Sequence, residues 1–262
     1  MNWDPAKYTE FADHRDRPFF DLTGRVAAED PGLVVDMGCG PGPLTAALAD
    51  RWPAARVVGL DSSPEMVEAA RRGHKRANLA FAQADAAAWI PGEDVDVLVT
   101  NAMLQWLPDH TKVVAGWLEA LRPGAWFAAQ VPGNFSAPSH AIMRGLADSE
   151  RWADRLGGIL RAGDNVAEPA DYLRLLTGHG FDADVWETTY LQILPGEDPV
   201  LEWVRGTALR PVLAALDTGE VAKFEREYAL AVRRAYPAFA GTDDVPLTAF
   251  PFRRIFLVGR KG

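Results

Sequence analysis

The chain has 262 residues, 48% of them hydrophobic, which is enough to bury a full α/β core and carry an added cap of helices. A formal net charge of −9 and a pI near 5.1 give a surface that repels nucleic-acid phosphates, and no dense basic stripe offsets it, so DNA and RNA are excluded as partners. The single Cys39 excludes an intrachain disulfide framework, and no N-terminal apolar run or unbroken membrane-length stretch occurs; the expectation is a cytoplasmic protein with no membrane partner.

The first predicted element contains Tyr8, Phe11, Arg15 and Pro18 at spacings of three and four. That spacing fits a short helix packed on a sheet, and it fits equally a lid closing over a ligand, with Arg15 reaching a carboxylate. Next, Leu33 to Met37 is an apolar run that carries Asp36 and breaks into Gly38, Gly40 and Gly42. It reads as a buried strand entering a tight turn, followed by a helix over Leu44 to Trp52. Glycine has no Cβ to hold a ligand away from the main chain, so the bend at 38–42 is expected to be bared of side chains for a ligand. A dinucleotide turn uses G-x-G-x-x-G; here the pattern is G-x-G-x-G followed by Pro43, which suits a ligand without a pyrophosphate bridge.

Arg56 to Leu60 forms a second apolar strand ending at Asp61. An acid at that strand end is placed to accept from both hydroxyls of a ribose. Ser62 or Ser63 then caps a helix begun by Pro64. Further strands are predicted near 79–82, 95–100, 125–131, 183–193 and 252–259, with helices between the first five. Residues 134–165 and 197–240 fall outside this sheet plan and read as a helical cap, the second segment as two helices divided near Leu209-Arg210-Pro211. No repeat or domain-length linker is visible, so the expectation is a single domain over 1–262 carrying those cap segments.

Four motifs in register now carry a resemblance: Val35-Asp36-Met37-Gly38-Cys39-Gly40-Pro41-Gly42, Gly59-Leu60-Asp61-Ser62-Ser63-Pro64-Glu65-Met66, Ala82-Gln83-Ala84-Asp85 and Asp96-Val97-Leu98-Val99-Thr100-Asn101-Ala102. Over roughly residues 30 to 135 the chain resembles the class I S-adenosylmethionine-dependent methyltransferases. The resemblance implies a doubly wound, Rossmann-like seven-stranded sheet whose last strand is antiparallel, with S-adenosyl-L-methionine as cofactor. It implies cofactor contacts at Asp36, Gly38, Cys39, Gly40, Asp61, Ser62, Asp85, Ala86 and Asn101, with Tyr8 and Arg15 on the lid. The bland readings are an Asp36 that orders the turn, a solvated loop Asp85 and an Asn101 that caps the following helix.

Outside that core, Trp3 to Tyr8, Leu104 to His110, Pro138 to Arg144, Thr188-Thr189-Tyr190 and Gly206 to Pro211 resemble the trans-aconitate 2-methyltransferases, whose near relatives methylate other carboxylates, malonyl groups on acyl carrier protein among them. The implied reaction is methyl-ester formation on a carboxylate of a small polyacid, with trans-aconitate favoured. A carboxylate is ionised at neutral pH, its reference pKa being about 4, so no general base and no catalytic side chain is required. A polyanion in an acidic protein needs local arginines: Arg210 first, then Arg144 beside His140, and Arg253 or Arg254. Trp106 and Tyr190 complete the candidates for the acid pocket, Trp106 competing with a plain core role. His110 and His140 lack a second ligand at a telling spacing, and Cys39 has no neighbouring base, so metal and thiol chemistry are poor candidates. Two other classes stay open: an NAD-dependent oxidoreductase, which would share Asp61, and a non-catalytic cofactor-binding protein.

Overall fold

The structure, a computed structural model, describes residues 12–160, 166–241 and 245–262. In chain order its elements are α1 (Ala12–Thr23), β1 (Leu33–Met37), α2 (Pro43–Arg51), β2 (Arg56–Asp61), α3 (Pro64–Gly73), β3 (Leu79–Gln83), β4 (Val97–Asn101), a 3-10 turn (Leu104–Trp106), α4 (His110–Ala120), β5 (Trp126–Pro132), α5 (Pro138–Ala147), α6 (Ala153–Leu156), α7 (Pro169–Gly178), β6 (Phe181–Pro195), α8 (Pro199–Arg205), α9 (Arg210–Ala215), α10 (Thr218–Ala235), β7 (Ala238–Ala240) and β8 (Pro246–Lys261). They divide into two compact units. One takes residues 15–132, 166–188 and 254–262; the other takes the described parts of 1–14, 133–165 and 189–253.

The first unit is built on a sheet of order β3-β2-β1-β4-β5-β8-β6. All pairs among β1 to β5 are parallel, and β8 runs antiparallel to β5. This is the doubly wound plan with a reversed strand beside β5. Strand order turns back between β1 and β4, and in such sheets ligands bind beyond the carboxyl ends at that reversal. The strands hold because their inward runs are fully apolar: Val34, Val57, Val97, Leu98 and Phe127 are buried. Trp117 of α4 seals one face, with its Nε1–H donated to the Trp89 carbonyl at 3.0 Å. Tyr172 of α7 is buried beside His110, its hydroxyl 2.7 Å from Nε2.

The second unit is mostly helical. Its core gathers Met143, Trp152, Trp203, Phe224, Tyr228 and Phe250. Two tyrosines pin the start of α5: Tyr228 Oη donates to the Ser139 carbonyl at 3.0 Å, and Tyr236 Oη accepts from the Ser139 N–H at 3.1 Å. α10 starts in a capping box, in which Asp217 accepts from the Gly219 and Glu220 amides and Glu220 returns to the Asp217 N–H. The first part of β8 belongs to this unit, where Leu247 and Thr248 pair with β7.

Three expectations need correction. No helix joins β3 to β4: one turn forms as Ala88 and Trp89 donate to the Asp85 carbonyl, and Pro91-Gly92 ends it before a second can follow. Residues 197–240 hold three helices instead of two, because the Asp217 cap restarts the chain after Leu216. The short β7 was unforeseen, and β8 begins at Pro246, earlier than the predicted 252, since an edge partner extends it.

Tyr228→Phe leaves the buried Ser139 carbonyl without its donor. A loss of about 1–3 kcal/mol in unfolding free energy is expected, read as a lower denaturation midpoint of the part that contains α5 and α10.

Candidate active site

The site is built where β1, β2 and β4 end. Gly38, Gly40 and Gly42 all take positive φ, at 82°, 54° and 89°. The reasons differ. A Cβ on Gly42 would lie 2.8 Å from Phe81 Cζ and 2.9 Å from the Ala70 methyl, and one on Gly38 would lie 2.4 Å from Met103 Cγ. Only at Gly40 does the added atom meet nothing within 4 Å. The expectation of a bend wholly bared for a ligand is therefore corrected: two glycines admit neighbouring side chains, and Gly40 alone opens the main chain.

Asp61 ties this bend down. Its Oδ2 accepts the Gly40 N–H at 2.9 Å and its Oδ1 accepts the Ser63 N–H at 2.9 Å. Each oxygen keeps a further lone pair for an outside donor. Ser63, not Ser62, caps α3, accepting from Met66 N at 3.2 Å, while exposed Ser62 offers its carbonyl to Gln83 Nε2.

Asp36 is 3% exposed and accepts from Thr45 Oγ1 at 2.6 Å. Burial pushes its pKa up to about 6; the Thr45 bond pulls the other way and the nearby Asp61 charge adds to the rise. Cys39 is buried next to the same two acids, and burial followed by their charges pushes its thiol far above the ordinary range, so no thiolate forms. Thr45 is absent from the residues singled out in the sequence; its position on the first turn of the helix after the glycines was the available signal.

Asp85 is exposed and accepts from the Ala87 N–H at 3.0 Å, with Ala86 buried beside it. Asn101 does not cap a helix. The residue before the 3-10 turn is Met103, and the buried Asn101 Oδ1 has no hydrogen-bond partner among the described residues. Ala102 then takes φ 52°, unusual for alanine, and its N–H goes to the Gln130 carbonyl at 2.8 Å. Trp106 is 46% exposed, which removes its core reading. Arg254 is 8% exposed and reaches Gln130 Oε1 with Nη1 at 3.5 Å.

The remaining candidates lie in the second unit. Arg144 donates to the Phe135 carbonyl at 2.8 Å. His140 sits against the Phe135 ring, and burial together with the Arg144 charge pulls its pKa down to about 4, so it is neutral at pH 7. Tyr190 is buried on β6, and Arg210 opens α9 half-buried. Tyr8 and Phe11 lie outside the described residues; Arg15 lies on α1. Among the described residues no helix is long and apolar enough to cross a membrane.

Asp36 supplies a pH signature. Its folded pKa near 6 exceeds the reference 3.8, so the folded state holds the proton more tightly and its contribution to stability is full below about pH 4 and lost as pH rises through about 6. Asp36→Asn removes that slope, so the difference between the two proteins changes by on the order of 2–3 kcal/mol between pH 4 and 7 in denaturant titrations.

Comparison with known proteins places this geometry. A family described as a methyltransferase domain matches residues 34–124. Trans-aconitate 2-methyltransferase of Streptomyces coelicolor is 53% identical, over 99% of this chain and 86% of that protein. The enzyme of the same name from Rhodococcus jostii is 52% identical, over 98% of this chain and 99% of its own length. Among solved structures, Haemonchus contortus phosphoethanolamine N-methyltransferase 2 in complex with S-adenosyl-L-methionine superposes with a TM-score of 0.54 at 16% identity, covering 94% of this chain and 53% of that one. Geranyl diphosphate C-methyltransferase from Streptomyces coelicolor, in complex with S-adenosyl-L-homocysteine, gives 0.52 at 12% identity, covering 98% and 82%. These two likenesses establish the fold, and the full-length identities establish the family. The chain belongs to the trans-aconitate 2-methyltransferases, within the class I S-adenosylmethionine-dependent methyltransferases.

Proposed function

We propose that the protein transfers the methyl group of S-adenosyl-L-methionine to a carboxylate of trans-aconitate, forming a methyl ester. Identity near 50% across nearly the whole chain to enzymes of that name is the observation that carries it. The residues present suit the cofactor. Gly40 offers open main chain, an added Cβ meeting no atom within 4 Å, Asp61 has acceptor capacity for ribose hydroxyls, and Asn101 has a buried carbonyl awaiting a donor such as an ammonium. Asp36 and Asp85 with Ala86 complete the proposed binding set, along with Tyr8 and Arg15.

When bound, the cofactor supplies a methyl group that is already electrophilic because it sits on a sulfonium. The chain therefore needs no base. Its own titratable groups agree: the Cys39 thiol stays protonated and His140 stays neutral, so neither holds a charge that the reaction would use. What the protein contributes is orientation of the acid and exclusion of water, and well-oriented groups gain roughly 7–11 kcal/mol from proximity. Stripping water from a polyanion is tolerable only where cations replace it. We assign that role to Arg144, Arg210 and Arg254, with His140, Tyr190 and Trp106 as neutral contacts.

Two variants separate the halves of this reading. Asp61→Asn removes charge from a carboxylate that accepts two main-chain donors, and calorimetry should show S-adenosyl-L-homocysteine bound at least tenfold more weakly, as a charged hydrogen bond is worth about 1.5–3 kcal/mol. Arg210→Ala should instead raise KM for trans-aconitate by on the order of tenfold with cofactor affinity unchanged. Loss of cofactor binding in the arginine variant would remove Arg210 from the acid site. Turnover of malonyl-acyl carrier protein in preference to free trans-aconitate would move the substrate to the alternative carboxylate class.

A further inference from the structure

The end of β3 carries a glutamine to which none of the roles assigned above falls. Gln83 is the in-register partner of Asp61 across β2 and β3, so the two residues share a face of the sheet at its carboxyl end, where α/β ligands bind. Its Nε2 donates to the Ser62 carbonyl at 3.1 Å. A carbonyl oxygen only accepts, so this contact fixes the amide with its nitrogen toward Ser62. The Ser62 carbonyl belongs to the same peptide unit as the Ser63 N–H, and that N–H donates to Asp61 Oδ1 at 2.9 Å. A trans peptide is planar, with its C=O and N–H pointing opposite ways, so holding one end aims the other. Gln83, the Ser62-Ser63 peptide and Asp61 therefore form one directed chain of hydrogen bonds.

The elements on either side fix the ends of this stretch. Upstream, the Asp61 carbonyl accepts from the Ala84 N–H at 3.0 Å, and downstream Ser63 caps α3. A single peptide plane between two fixed points can still turn about its flanking bonds, and the Gln83 contact opposes that turn. It also polarises the peptide, which strengthens donation by the N–H on the far side. Donation from Gln83 straight to the carboxylate would occupy a lone pair, whereas donation one peptide away leaves Asp61 only its two main-chain donors, Gly40 and Ser63. We propose that Gln83 is a positioning residue for the cofactor: through the Ser62-Ser63 peptide it sets the direction of the Asp61 carboxylate, and with it the strength of the grip on the ribose hydroxyls. This rests on the reading of Asp61 as the ribose acceptor and adds to it the residue that aims the acid.

The test is a double-mutant cycle read by calorimetric titration of S-adenosyl-L-homocysteine into wild type, Gln83→Met, Asp61→Asn and the protein carrying both changes. Methionine keeps the length of the side chain and loses its donor, and Gln83 is exposed, so the change opens no cavity in the core. The expected result for Gln83→Met is binding weakened about three- to tenfold, the worth of one neutral hydrogen bond. In the Asp61→Asn background the same change should cost less than about twofold, because the residue it acts through is already impaired. The 2′,3′-dideoxy analogue of the ligand offers Asp61 no hydroxyl, and its affinity for Gln83→Met should stay within about twofold of wild type. Unchanged binding of S-adenosyl-L-homocysteine by Gln83→Met would overturn this inference alone. So would an equal loss in both Asp61 backgrounds, or an equal loss for the ligand and its dideoxy analogue, since each is the mark of a general loosening of the strand end. Wild-type affinity in Asp61→Asn itself would overturn the ribose assignment, and this inference with it.

Discussion

The carboxylate of Asp61 is the constraint on which the site depends. It closes β2 and holds the amide of Gly40 with one oxygen and that of Ser63 with the other. The residue before it acts with it, since the Leu60 carbonyl accepts from both Gly38 and Cys39 at 2.7 and 2.9 Å. Two adjacent residues at one strand end thus fix four amides drawn from two different turns. This works because β1 and β2 are in parallel register, with Met37 opposite Leu60, so the glycine turn leaves β1 at the level where β2 stops. Charge-assisted bonds of this kind are short and strong, and they leave little freedom in the glycine turn, where Gly40 has open space beside it.

Around that anchor, burial sorts the charges. Several arginines on the surface are neutralised locally: Arg205 by Glu225, Arg233 by Asp198 and Arg76 by Asp50. Such pairs tie neighbouring elements together and each contributes only about 0–1 kcal/mol. The groups suited to chemistry are the shielded ones. Asp36 is kept from water and holds its proton to about pH 6, a state that a bound cation would reverse. Arg254 is buried, with the Gln130 amide oxygen 3.5 Å from its Nη1. Under the proposed reading, a protein of net charge −9 would need its acid-binding cations kept apart from the acidic surface that would otherwise repel a polyanion.

Much of this is legible in the amino-acid sequence. The strand ends at Asp61 and Asn101 follow from apolar runs that stop at polar residues, and the helix starts at Pro43 and Pro64 follow from proline at the first helical position. Ser63 and the Asp217 cap are likewise local signals, although the second was passed over in favour of a longer helix. The missing helix between β3 and β4 marks where periodicity misled: three alanines and a tryptophan suggest a helix, yet Pro91-Gly92 allows a single turn.

Local order along the chain therefore settled most of the elements, their sequence and the Asp61 that ends β2, since spacing and turn chemistry act over a few residues. Which glycine faces open space could not be read that way. It depends on Met103, Phe81 and Ala70 arriving from distant elements to occupy the room beside Gly38 and Gly42. The meeting of Gln130 with Arg254 is of the same kind: 124 positions separate them, and only the antiparallel register of β8 on β5 brings guanidinium to amide. Register is a long-range quantity, and a slip of one residue would turn each of those side chains to the other face.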